Sequence, residues 1–130
     1  MKNRTNYLSG SKYENSIGFS RAVKVGNIIT VAGTAPIGED GKTAGINDVA
    51  VQTERCLEII KAALEQAGAS LSDVVKTRIF MTNVEDWEKA GVVHGKYFSD
   101  IKPATIFMEV SRFISSEWLV EIEAEAIISE

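Results

Sequence analysis

Pro103-Ala104-Thr105-Ile106-Phe107-Met108-Glu109-Val110, followed after a short break by Val120-Glu121-Ile122-Glu123-Ala124, is the part of this 130-residue chain whose reading decides the fold. Side chains alternate across a strand with a period of two. On the first segment Ile106, Met108 and Val110 share one face, and Thr105, Phe107, Glu109 and Ser111 share the other. On the second, Val120, Ile122, Ala124 and Ala126 oppose Glu121, Glu123 and Glu125. A uniformly apolar set belongs against a covering layer, so the alternation sends Thr105, Phe107 and the glutamates together to the opposite, uncovered face.

Outward from these strands, Val74 to Met81 reads as a strand with apolar residues on both faces, as expected when both are covered. Asn83 caps a helix that carries Trp87, Ala90, His94, Tyr97 and Phe98 along one side. Asn47 or Asp48 caps another, with Val49, Cys56, Ile60, Ala63, Leu64 and Ala67 on its apolar face and Gly68 closing it. Pro36 to Gly45 is a loop. Phe19 to Val25 and Ile28 to Ala35 form a hairpin around Gly26-Asn27, where glycine supplies the positive φ of a tight turn. In the second of these strands Ile29 and Val31 point inward and Thr30, Ala32 and Thr34 outward, and Gly33 marks a place where a ligand or backbone approaches closely. The first ten residues are polar and read as an irregular arm. Thr105 to Arg112 and Leu119 to Ile127 complete the order ββαβαββ.

This order describes an α+β fold with a mixed sheet, parallel across the helical crossovers and antiparallel within the terminal hairpins. Such a sheet is roughly 25 to 29 Å wide. Two helices of roughly 10 Å diameter cover only one face, so the other must meet water or another subunit.

Composition narrows the classes further. A chain of this length with 45% hydrophobic residues builds one core, giving a single domain over residues 1–130. Eighteen acidic and 14 basic residues leave a net charge of -4 with no basic block, which gives no reason to expect nucleic acid or an anionic membrane surface as partner. Met1 to Tyr7 lacks the apolar core of a signal peptide, and no apolar run approaches the roughly 18 residues that span a bilayer, so a soluble, cytoplasmic protein is expected. The single cysteine, Cys56, lies on an apolar helical face and reads as core. His94, the single histidine, reads as a packed or interface residue. The two are far apart in the chain, with no carboxylate at ligand spacing, and neither a P-loop, a G-x-G-x-x-G nor a G-x-S-x-G motif occurs; no metal and no cofactor are expected.

The two C-terminal segments resemble the signature of the RidA family, also called YjgF or endoribonuclease L-PSP, in which a Pro-Ala-Arg strand and a Glu-Ile-Glu-Ala strand build a small-molecule site. The likeness extends through Ile17-Gly18, Val25-Gly26-Asn27-Ile28-Ile29 and Val75-Lys76-Thr77. It implies a chorismate-mutase-like subunit and a homotrimer whose uncovered sheet faces pack into a central barrel, with three ligand clefts between subunits. Deaminating relatives hydrolyse reactive enamine and imine intermediates; an arginine pairs with the substrate carboxylate and a glutamate positions or activates water. In this sequence Thr105 stands in the arginine's place, Phe107 in that of the common cysteine, Ala32 in that of the site serine and Gly91 in that of the cleft asparagine. The aromatic that closes the pocket falls on Phe19 or Ser20. Only Glu121 is retained, as the candidate catalytic carboxylate.

Hydrogen bonds involving a charged group are worth about 1.5–3 kcal/mol each, so the missing arginine weakens carboxylate binding at least about tenfold. Little hydrolysis of small 2-imino acids is expected, and the more apolar cleft favours a neutral or aromatic ligand. Glutamates two apart on a strand, about 6.8 Å from each other, are either a solvated face or, once desolvated, a set in which one pKa rises; Arg21, Arg78 and Arg112 are expected to neutralise them or to solvate the surface. Three functional classes fit: a trimer that binds a small metabolite between subunits and hydrolyses an enamine, imine or related substrate; a binding or structural trimer without catalysis; and an endoribonuclease, which the acid-rich strands oppose.

Overall fold

The computed structural model describes residues 3–129. Met1 and Lys2, part of the segment read as an arm, lie outside the described residues. Eight principal elements follow one another: β1 (Arg4–Tyr7), β2 (Ala22–Val25), β3 (Ile28–Thr34), α1 (Val49–Gln66), β4 (Val74–Met81), α2 (Trp87–Phe98), β5 (Ala104–Glu109) and β6 (Val120–Ile127). The expected arm is therefore corrected: Arg4 to Tyr7 pairs with the otherwise open edge of β2, from Arg4 opposite Val25 to Tyr7 opposite Ala22. Backbone pairing at a free edge, which side-chain polarity does not forbid, explains this strand. The hairpin strand expected from Phe19 starts only at Ala22, because residues Glu14–Gly18 form a π-helical turn that delivers the chain to the sheet.

Six strands lie in the order β1-β2-β3-β6-β4-β5. All neighbours are antiparallel except the parallel pair β4 and β5. The sheet is mixed, as expected, but β6 does not form a hairpin with β5; it inserts between β3 and β4. Both β3 and β4 send a helical crossover over the same face, and the gap between these two mutually parallel strands accepts β6 antiparallel to each.

The helices form for the reasons legible in the chain. Asp48 caps α1 by accepting from the Val51 N–H at 3.1 Å, and Gly68, with φ +85°, follows its end. Asn83 caps a short 3-10 turn, Val84–Asp86, that leads into α2. α1 buries Cys56, Leu57, Ile60 and Leu64, while α2 buries Ala90, Val93 and Phe98. Trp87, read as part of that buried side, is 49% exposed. Under the helices lie Ile29, Val31, Thr77, Ile79, Met81, Val120, Ile122, Ala124 and Ala126, all essentially inaccessible to water. The opposite face of the sheet has no covering layer among the described residues. It carries Ile28, Ile106, Met108 and Ile127, each 40–51% exposed, among the charged side chains Arg78, Glu121, Glu123 and Glu125.

Two expectations about facing are overturned. Thr34 points inward and is fully buried, because a β-bulge between Val31 and Thr34 shifts the pairing with β6. Thr105 and Phe107 face α2 rather than the open side. They pair in register with buried Thr77 and Ile79 of β4, whereas Ile106 and Met108 align with Arg78 and Phe80. The rule that an apolar set seeks the covered side fails on this edge strand because the open face is itself partly apolar.

Candidate functional site

The residues singled out from the sequence fall into two groups on opposite faces of the sheet. One gathers around the bulge on the open face. There Glu121 lies beside Gly33, where a Cβ would stand in van der Waals contact, 3.4 Å from the Glu121 Oε1. The neighbour at Gly33 is thus a side chain, where a ligand or backbone is expected from the sequence. Ala32 sits opposite Arg21 and donates its N–H to the Arg21 carbonyl at 3.0 Å. The guanidinium of Arg21 reaches across the bulge and donates from Nη2 to the Gly33 carbonyl at 2.7 Å, while its Nε is buried without a hydrogen-bond partner.

Burial sets the electrostatics of this group. It pushes the Glu121 carboxyl above its ordinary value; the charge of Arg21 opposes that rise and the charge of Glu123 adds to it. Burial likewise lowers Arg21, against the pull of Glu14 and Glu121. The remaining glutamates behave differently. Arg78 points to the open face and pairs with Glu125 at 2.8 Å and Glu123 at 3.5 Å, so one positive charge is shared between two rungs of the ladder, while Glu121 lies apart from Arg78 beside Gly33. Phe19 and Ser20 precede β2, next to Arg21 in the chain. Phe19 is exposed, Ser20 Oγ accepts from Asn6 Nδ2 at 2.8 Å, and both line a recess of about 590 Å³ that also contains Glu14.

The second group lines a cleft of about 580 Å³ between α2 and β5, walled by Trp87, Gly91, His94, Thr105 and Phe107 with Lys102 at one end. Trp87 and Phe107 meet edge to face, with ring centroids 6.1 Å apart and planes at 71°. Gly91 keeps the wall open: a Cβ there would touch Phe107 Cζ at 3.8 Å. At the floor a chain of polar contacts links His94 Nε2 to Thr77 Oγ1 at 3.0 Å, Thr77 Oγ1 to Thr105 Oγ1 at 2.8 Å, and Thr105 Oγ1 to the Pro103 carbonyl at 3.0 Å. Burial lowers the His94 pKa, which favours the neutral ring. Cys56 belongs to neither group; it is inaccessible, and burial pushes its thiol up, away from reactivity.

Within one chain, then, Thr105, Phe107 and Gly91 come together, and Glu121, Ala32 and Gly33 come together, but the sheet separates the two sets. The expected grouping of Thr105, Phe107 and Glu121 on one face is corrected by the parallel register of β4 and β5. Arg21, Trp87 and Thr77 were not picked out as site residues. Thr77 carried a usable signal, a polar residue on the covered side of a central strand; the position of Arg21 depends on a bulge with no sequence mark beyond Gly33.

Residues 10–128 match the family model described as Endoribonuclease L-PSP. A RutC family protein of Pyrococcus abyssi is 44% identical over 108 residues, covering 83% of this chain and 84% of that protein. The 3-aminoacrylate deaminase RutC of Acinetobacter baylyi is 34% identical over 105 residues, covering 81% and 82%. Among solved structures, Rv2704 of Mycobacterium tuberculosis, a member of the YjgF/YER057c/UK114 family, superposes with a TM-score of 0.87 at 44% identity over 96% of this chain and 99% of that one. The YjgF gene product of Escherichia coli gives 0.79 at 27% identity over 98% and 94%. With its six-stranded mixed sheet and two covering helices, the chain belongs to the endoribonuclease L-PSP family, the group also known as RidA or YjgF.

Proposed function

We propose that this protein is a homotrimer that binds a small, uncharged metabolite in clefts between subunits and hydrolyses an enamine, imine or related substrate there, with Glu121 positioning or activating water. One observation carries the reading: the Glu121 group and the Thr105–Phe107 group lie on opposite faces of one sheet, so a single chain cannot present both to one ligand, whereas a neighbouring copy can supply the missing half. The uncovered face, with Ile28, Ile106, Met108 and Ile127 exposed, is the surface such a neighbour would cover. A deaminase among the relatives supports the reaction class. Glu121, raised by burial and flanked by Arg21, has the environment of a general acid or base. Thr105 at the arginine's position sets the substrate apart from small 2-imino acids.

Two measurements test this. Light scattering should give three times the 14.2 kDa of one chain, and a monomer would end the reading. A screen of neutral enamines and imines should find turnover that Glu121→Gln lowers by about 10²-fold or more; unchanged rates would remove Glu121 from the mechanism.

A further inference from the structure

The polar contacts at the floor of the α2–β5 cleft have a direction, fixed by counting protons. The Pro103 carbonyl has only lone pairs, so in its 3.0 Å contact the Thr105 hydroxyl donates. A hydroxyl has one proton to give. Thr105 must then accept in its 2.8 Å contact with Thr77, whose own proton is used there. Thr77 in turn accepts in its 3.0 Å contact with His94, which requires the hydrogen on Nε2. The chain is poled one way, from His94 through Thr77 and Thr105 to the Pro103 carbonyl. Thr105 is left with no free proton and one free lone pair. Thr77 is completely buried and Thr105 is exposed in the cleft, so that lone pair is the polar group this chain end offers to a bound molecule.

We propose that the cleft beside Thr105 recognises an uncharged ligand through an N–H or O–H donor directed at Thr105 Oγ1, the reverse of the anion recognition an arginine gives at this position; this rests on the ligand-binding reading above. A carboxylate would set its lone pairs against that of Thr105, beside the rings of Trp87 and Phe107. An amide or hydroxyl donor satisfies Thr105 while the apolar body lies against the two aromatic rings. The charged residues at the rim, Glu88 and Lys102, are exposed and opposite in sign.

Benzamide and benzoate, nearly identical in shape, separate the cases. In calorimetric or NMR titrations of the native protein benzamide should bind at least about tenfold more tightly than benzoate, and Thr105→Val should bring the two within about threefold of each other. Because His94 is the only histidine, a long-range 15N–1H spectrum reports its tautomer without assignment, and the Nε2–H form is expected. The Nδ1–H form, or benzoate binding as tightly as benzamide, overturns the donor inference alone. Failure of both probes to bind in the millimolar range overturns the cleft as a ligand site, and the inference with it.

Discussion

At the Ala32–Gly33 bulge, charge is packed against backbone: Arg21 bonds the Gly33 carbonyl, Glu121 rests on the glycine, and burial perturbs both groups. Under α2 the arrangement is the opposite, with two aromatic rings, a glycine and a file of hydroxyls whose protons are consumed among themselves. The first half brings together two charged groups, Arg21 and Glu121, whose pKa values burial perturbs. The second lines its floor with His94, Thr77 and Thr105, joined by hydrogen bonds, and its wall with the rings of Trp87 and Phe107. Under the function proposed above, the bulge supplies the chemistry and the cleft the shape and donor recognition.

The largest expected effect tests the sheet that separates the halves. Ile122→Ala, on the covered side of β6, should cost about 2–5 kcal/mol in denaturant unfolding, whereas Ile106→Ala, on the open side of β5, should change the isolated subunit by about 0.5 kcal/mol or less. If Ile106→Ala instead lowers the assembled mass at dilute concentration, the open face is the buried face of the oligomer. A middling effect distinguishes stability from recognition in the cleft. Gly91→Ala should stabilise α2 by about 0.5–1 kcal/mol and at the same time weaken benzamide binding, because the added Cβ reaches Phe107; tighter binding would refute the shape of the wall.

The smallest effect concerns the bulge and is one of pH. Glu121 has a folded-state pKa above its ordinary value of 4.5, so between that value and the raised one the folded state binds more protons than the unfolded. Its contribution to stability therefore falls as pH rises through that window. Glu121→Gln should raise the unfolding midpoint at pH 7 and leave it unchanged at pH 4. Because the side chain keeps access to water, the gain at pH 7 stays in the range of surface charges, about 0.2–1 kcal/mol. A loss of stability at pH 7 would mean that attraction to Arg21 outweighs burial.

How far the sequence reveals this depends on where a residue lies in the sheet. On central β6 the alternation of Val120, Ile122, Ala124 and Ala126 with three glutamates has one solution, since one side must be dry. On β5, an edge strand, both sides carry apolar residues and the parallel register is set by the crossover through α2, which no local pattern encodes. Thr34 is displaced by a bulge that only Gly33 hints at. The β1 strand is held by backbone pairing, to which side-chain patterning is blind. The contact of Arg21 with Gly33 follows from that same bulge, so the charged half was legible through Glu121, Ala32 and Gly33 but not Arg21, and the apolar half through the shared face of Thr105 and Phe107 but not its side of the sheet.

The place of β6 in the sheet also bears on the order of folding. Residues 28–34 and 74–81 are never neighbours; each pairs with residues 120–127. Until that segment has been synthesised, β1, β2 and β3 form one patch and β4 and β5 another, each with an open backbone edge, and no strand hydrogen bonds join them. Before β6 is present, the packing of α1 on α2 is the main link between the two patches. The long-range pairings of β6 then close the sheet in one step, the kind of non-local event that slows folding and exposes edges to mispairing.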